Sequence, residues 1–147
     1  MTLLLQTIHG SYLYGTDHAH SDIDIYRVIS GNAKTTQKIQ GDMDITTVSL
    51  DKFLTYLNKG VPQAWEALWS PYAYINPNWK PFFKSIRPST QIFSTYHRTI
   101  SSFNHSTDPK ARRSATRLLI NLEQLEKYGF FLPNHNEENI QRILSTP

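Results

Sequence analysis

A chain of 147 residues without cysteine excludes disulfide staples and thiolate metal centres, and its length suits one domain that buries most of the surface its unfolded form exposes. A formal charge of +3, with an isoelectric point near 9.2, tilts toward phosphate-bearing partners without deciding for them. No apolar run approaches the ~20 residues of a membrane helix, and the opening MTLLLQTI is too short and too uncharged for an export signal, so a soluble, cytoplasmic protein without membrane contact is expected.

The chain carries no internal repeat, low-complexity tract or long linker, so it is read as one unit in two parts: an α/β core over about residues 1–85 and a helical region over about 89–147. TLLLQTI is a buried strand that Gly10 breaks. DIDIYRVIS alternates, with Asp22, Asp24 and Tyr26 on one face and Ile23 and Ile25 on the other, which predicts a half-buried strand. GNAKTTQKIQGD is read as a loop. MDITTVSL is a third strand, with Asp44, Thr46 and Val48 on one side and Met43, Ile45 and Thr47 on the other.

Leu50, Phe53, Leu54 and Leu57 keep the spacing of one helical face, with Ser49 as N-cap and Gly60 just past the end. Pro62 suits the first turn of a short helix on which Trp65, Leu68 and Trp69 share a face. Pro71, Pro77 and Pro81 predict an irregular stretch. From near Ser89 the stripe Ile92, Phe93, Tyr96, Ile100 and Phe103 predicts a helix. Asp108 and Pro109 then cap a longer one running to about Tyr128, with Ala111, Ala115, Leu118, Leu119, Leu122 and Leu125 as its buried face. Gly129 closes it, and NEENIQRIL is a last short helix.

Aspartate is a poor strand former, and two on one strand face repel each other unless something positive lies between them. A divalent cation is the natural partner. Hard oxygen ligands select magnesium or manganese, and paired metals ~4 Å apart serve enzymes that move phosphoryl or nucleotidyl groups. Asp44, opening the next strand, is placed to supply a third carboxylate if the two strands lie side by side, with Asp42 as a fallback. Gly10 and Ser11 end a strand and start a helical turn, where free N–H groups and a small hydroxyl can hold a phosphate; Gly15 turns the segment back toward the aspartates. Lys110, Arg113 and Arg117 share a narrow arc of the long helix, continued by Asn121 and Gln124. They lie in its N-terminal half, where cations oppose the macrodipole, which points to a phosphate partner such as a triphosphate or an RNA-like acceptor. Asp17, His18 and His20 are read as a mobile loop facing the acceptor entrance rather than a zinc or copper site. Trp65, Trp69 and Trp79 are read as core, leaving Tyr12, Tyr14 and Tyr26 as the better stacking candidates for a base.

Taken together, GSYLYGTDHAHSDIDIYRV resembles the signature of the DNA polymerase beta-like nucleotidyltransferase superfamily, and Gly10, Ser11, Asp22 and Asp24 match it, with Asp44 at the third acidic position. DITTVSLDKFLTYLNKGVPQAWEALWSP and KARRSATRLLINLEQLEKYGFFLP are similar to stretches of a phage- and bacteria-borne branch of predicted nucleotidyltransferases associated with RNA ligases. There Pro62, Glu66 and Leu68 match the pattern. Val61 stands where that branch usually has asparagine, and many of those relatives continue past the last residue of this sequence, which implies a weaker acceptor site or a minimal version.

The resemblance implies an α/β (α+β) fold, a small mixed sheet flanked by helices and followed by a helical C-terminal region. It implies transfer of a nucleoside monophosphate from an NTP, ATP foremost, to a hydroxyl of RNA, protein or a small molecule, with release of pyrophosphate. Asp22, Asp24 and Asp44 would hold two magnesium or manganese ions. Gly10, Ser11, Ser21, Lys110, Arg113 and Arg117 form the expected nucleotide-binding set, and Glu66 is given an organising role, such as pairing with a basic side chain. Two alternatives stand beside this reading: a silent nucleotide- or RNA-binding regulatory module, and a phosphohydrolase that uses the same carboxylates with water as acceptor.

Overall fold

The computed structural model describes residues 1–31 and 34–147. In chain order the elements are β1 (Leu3–His9), α1 (Gly10–Tyr14), β2 (Ile23–Ile29), β3 (Thr36–Gln40), β4 (Met43–Ser49), α2 (Leu50–Lys59), α3 (Pro62–Leu68), β5 (Tyr74–Ile75), α4 (Lys80–Ser85), α5 (Gln91–Asn104), α6 (Pro109–Tyr128) and α7 (Glu137–Leu144). The strands form one sheet in the order β3-β4-β2-β1-β5. β2 and β4 run parallel, and the other pairings are antiparallel. This is a mixed sheet flanked by helices and followed by a helical C-terminal region, as the resemblance implied.

Strand register builds the layers. Residues directly opposite one another on paired strands point to the same face. Leu5, Val28 and Val48 therefore form one row across β1, β2 and β4; Thr7, Tyr26 and Thr46 form the next; and His9, Asp24 and Asp44 form a third at the sheet's end. The first two rows supply Leu5, Tyr26, Val28 and Val48 to a core completed by Phe53 and Leu57 of α2, Trp65 of α3, Phe83 of α4, Tyr96 of α5 and Leu118 of α6. One hydrophobic cluster thus draws on both the α/β part and the helical part. Trp65 satisfies its only polar atom inside this core, because Nε1 donates to the Leu57 carbonyl at 2.9 Å.

Local chemistry sets the helix ends. The Ser49 hydroxyl accepts from the Lys52 N–H and the Asp108 carboxylate from the Lys110 N–H, each covering a donor that an N-terminal turn leaves without an intrahelical partner. Gly60 ends α2 in the left-handed region at φ 75°, and a Cβ there would meet the Ile92 backbone at 2.6 Å. That contact lets α2 and α5 approach closely.

Four expectations need correction. The segment 31–42 is not a continuous loop: Thr36–Gln40 pairs with β4 as an edge strand, and Asn32 and Ala33 lie outside the described residues. All five residues of TQKIQ are exposed, so no apolar alternation marks the strand. The stretch around Pro71, Pro77 and Pro81 is not wholly irregular, because it holds the short strand β5 and helix α4, with Pro81 tolerated in the first turn. On α6, Leu119 is exposed and the buried face runs instead through Ile120 and Asn121. Ala111 lies in the exposed N-terminal turn, only half-buried.

Candidate active site

The His9, Asp24, Asp44 row ends at a pocket of about 630 Å³. One side is formed by the turn after β1, with Gly10, Ser11 and Tyr14, and by the loop ahead of β2, with His18, His20, Ser21 and Asp22. Asp24 and Asp44 lie at its base, and Lys110, Arg113, Ser114 and Arg117 of α6 face them. Ile143 and Leu144, at the end of α7, complete the wall. The parallel pairing of β2 with β4 puts Asp24 directly beside Asp44, the adjacency on which the sequence reading depended. Asp22 precedes β2 and is exposed, whereas Asp42 lies in the β3–β4 turn away from the pocket lining.

Gly10 explains why the turn can sit so close to the acids. Its φ is 65°, and a Cβ in its place would overlap the Asp24 carboxylate. Any side chain there would both strain the backbone and displace the acid. Gly15, at φ 86°, closes α1, where the Ser11 carbonyl accepts from the N–H groups of Gly15 and Thr16 at 2.9 and 3.0 Å. The Ser21 hydroxyl accepts from the His18 N–H at 2.8 Å and so ties down the loop ahead of the strand.

The carboxylates are held in different ways. Gln37 of β3 donates from Nε2 to both oxygens of Asp44, at 3.1 and 3.0 Å. Asp24 is half-buried, and burial, followed by the neighbouring charges of Asp44 and Asp22, raises its carboxyl above the ordinary aspartate value; Lys110 acts in the opposite direction. Three acids line one pocket, with the Gly10 cradle pressed against Asp24, and their carboxylate oxygens are of the donor type that a hard divalent cation takes. Among the described residues no three acidic or histidine side chains already form a metal-binding cluster. Closing these acids on a cation would bring the exposed Asp22 in beside Asp24 and Asp44.

The cationic side departs from the sequence reading. Lys110 is exposed and Arg113 half-buried, both lining the pocket. Arg117 also lines the pocket, but it is engaged inside the protein: its Nη1 donates to Glu66 Oε1 at 2.8 Å, and the two side chains are 11% and 1% exposed. Its guanidinium carbon lies 3.9 Å from the centre of the Tyr14 ring. Burial, the largest influence, would raise the Glu66 carboxyl, but Arg117, His9 and Tyr14 together hold the group below the ordinary glutamate value. Further along the arc Asn121 is fully buried with both amide atoms unpartnered, and Gln124 Oε1 accepts from the Leu132 N–H. α6 tilts into the core, so a face that begins in the pocket ends inside the protein.

Several assignments change accordingly. Tyr26 is 2% exposed beneath the acids and packs against Phe53, so it offers no platform for a base. Tyr14 is engaged by Arg117, and Trp65, Trp69 and Phe131 stack among themselves. His18 and His20 are exposed at the pocket mouth. Residues the sequence reading missed are His9, Gln37, Ser114, Ile143 and Leu144. Of these only His9 carried a signal, since it immediately precedes the Gly-Ser turn.

No curated protein matches the chain. The model of RlaP, described as the RNA repair pathway DNA polymerase beta family, matches residues 1–146. With the paired aspartates and the glycine turn already in place at the sheet's end, that match over nearly the whole sequence means that the chain belongs to this polymerase beta-like nucleotidyltransferase family associated with RNA repair.

Proposed function

We propose that the protein transfers a nucleoside monophosphate from an NTP, ATP foremost, to a hydroxyl acceptor, an RNA end being favoured by the family's association with RNA repair. The observation that carries this reading is the side-by-side placement of Asp24 and Asp44 on parallel strands, with Gly10 packed against Asp24. Asp22, Asp24 and Asp44 would hold two magnesium or manganese ions. When bound, these supply charge neutralisation and make the acceptor hydroxyl more acidic. Ser11 and the N–H groups around it hold the leaving phosphates, while Lys110 and Arg113 stabilise negative charge from the α6 side. The chain's contribution is alignment and electrostatics, which is what phosphoryl chemistry asks of a protein.

The test is pyrophosphate release from each NTP with magnesium or manganese, compared with Asp22→Ala/Asp24→Ala. Release that survives the double change rejects the reading. A second reading, a nucleotide- or RNA-binding regulatory module without turnover, draws on one observation: Asp44 is tied to Gln37 rather than free. Metal-dependent NTP binding without pyrophosphate release favours that module.

A further inference from the structure

Glu66 is a carboxylate in a helix whose Ala64, Trp65, Ala67 and Leu68 are all buried. Arg117 donates the 2.8 Å bond to one of its oxygens, the other faces His9 Nε2 at 3.6 Å, and His9 and Tyr14 add to the stabilisation of its charge. A buried ion pair is seldom the most economical way to stabilise a core, since apolar residues of similar volume often do as well or better. Its location is informative. Glu66 belongs to α3, Arg117 to α6, and the guanidinium carbon lies over the ring of Tyr14, the last residue of the α1 turn that begins with Gly10 and Ser11. Arg113 and Lys110, four and seven residues before Arg117, follow the same side of α6 into the pocket. The guanidinium is therefore a point at which the cationic wall of the pocket touches its glycine-serine wall. The backbone behind Tyr14 is held as well, because its carbonyl accepts from the His135 N–H at 3.3 Å.

We infer that Glu66 and Arg117 are positioning residues: Glu66 anchors the guanidinium, and the guanidinium, seated over the Tyr14 ring, sets the spacing between the α1 turn and the Lys110–Arg113 face across which the nucleotide's phosphates lie. The inference rests on the nucleotidyltransferase reading for its ligand but not for its geometry. Lysine cannot replace Arg117 in this role, because a point charge can pair with Glu66 but cannot at the same time present a flat cation to the ring.

The test uses the full chain with Arg117→Lys and Glu66→Gln, and Glu123→Gln as a control that breaks the exposed Arg142–Glu123 pair. Amide hydrogen exchange is followed at Gly15 and Thr16, and ATP affinity with magnesium is measured by calorimetry. Positioning predicts that exchange at those two amides quickens about ten-fold beyond any change in the α5 amides, and that ATP affinity weakens by about ten-fold or more, with neither change in the control. If the single variants do not fold, the charge-free Glu66→Gln/Arg117→Met variant is used, with the same expectation. Exchange at Gly15 and Thr16 that moves only in step with α5 overturns the proposal and leaves the pair merely structural. Failure of the wild-type protein to bind ATP refutes the nucleotide reading, whereas the exchange result still decides whether the pair positions α1.

Discussion

Gln37 reaches across from the edge strand β3 and donates its amide to both carboxylate oxygens of Asp44. The donor fixes an acid that would otherwise rotate freely at the rim of the sheet, and groups that orient a metal-binding carboxylate typically change activity or metal affinity by ~10–100-fold when lost. Gln37→Leu is expected to lower pyrophosphate release by about ten-fold and to raise the magnesium concentration needed for half-maximal activity. Because β3 is exposed, thermal stability should change little. A magnesium titration beside a melting curve measures both.

Gly10 cannot be replaced without cost. An alanine there adopts a left-handed conformation disfavoured by roughly 1–2 kcal/mol and drives its methyl group into the Asp24 carboxylate. Gly10→Ala should therefore remove activity almost completely while the protein still folds. Denaturant unfolding beside an activity assay separates the two effects, and full activity in a folded Gly10→Ala protein would show that the close approach to Asp24 is irrelevant to the chemistry.

Two arginines one turn apart should behave as opposites. Arg113→Ala removes a pocket cation and is expected to raise the KM for ATP with less than about 1 kcal/mol lost from stability. Arg117→Ala leaves Glu66 buried without its partner and should destabilise the fold by about 3–5 kcal/mol. Urea unfolding of the two variants is the comparison; equal losses would mean that the burial of the Glu66 pair has been misjudged.

His135 is nearly buried with neither ring nitrogen hydrogen-bonded, and burial, reinforced by the positive charge of Arg117, pushes its pKa from the usual 6.5 down to about 4. The unfolded chain takes up this proton at higher pH than the folded one, so the stability contribution is present in full above 6.5 and is lost as the pH falls toward 4. The loss is about 3 kcal/mol over that interval. His135→Phe should flatten the stability profile there, as read from unfolding free energies measured across that pH range.

How legible all this was depended on what each residue does locally. Alternation in DIDIYRVIS and MDITTVSL marked β2 and β4, and the Gly-Ser turn marked the end of β1, so the acids and the turn beside them could be placed from sequence. β3 escaped because an exposed strand of Thr, Gln and Lys has no buried face to leave a pattern, and Gln37 was lost with it. Periodicity assigns a side but not a depth. Tyr26 shares a strand face with Asp24 yet lies two residues further under the helices, and Arg117 shares a helix face with Lys110 yet sits where α6 has entered the core. The organising role expected of Glu66 is consistent with its contact with Arg117, but which cation it would meet depended on tertiary packing.

The most direct measurement follows the α-phosphate itself. ATP labelled at that position is incubated with the protein, magnesium and single-stranded RNA. The row of Asp24 and Asp44 beside the Gly10 turn predicts that label joins the acceptor with one pyrophosphate released per transfer, and that Asp24→Asn and Asp44→Asn each abolish both. Label recovered only as free AMP, or transfer that persists in both variants, would contradict the account.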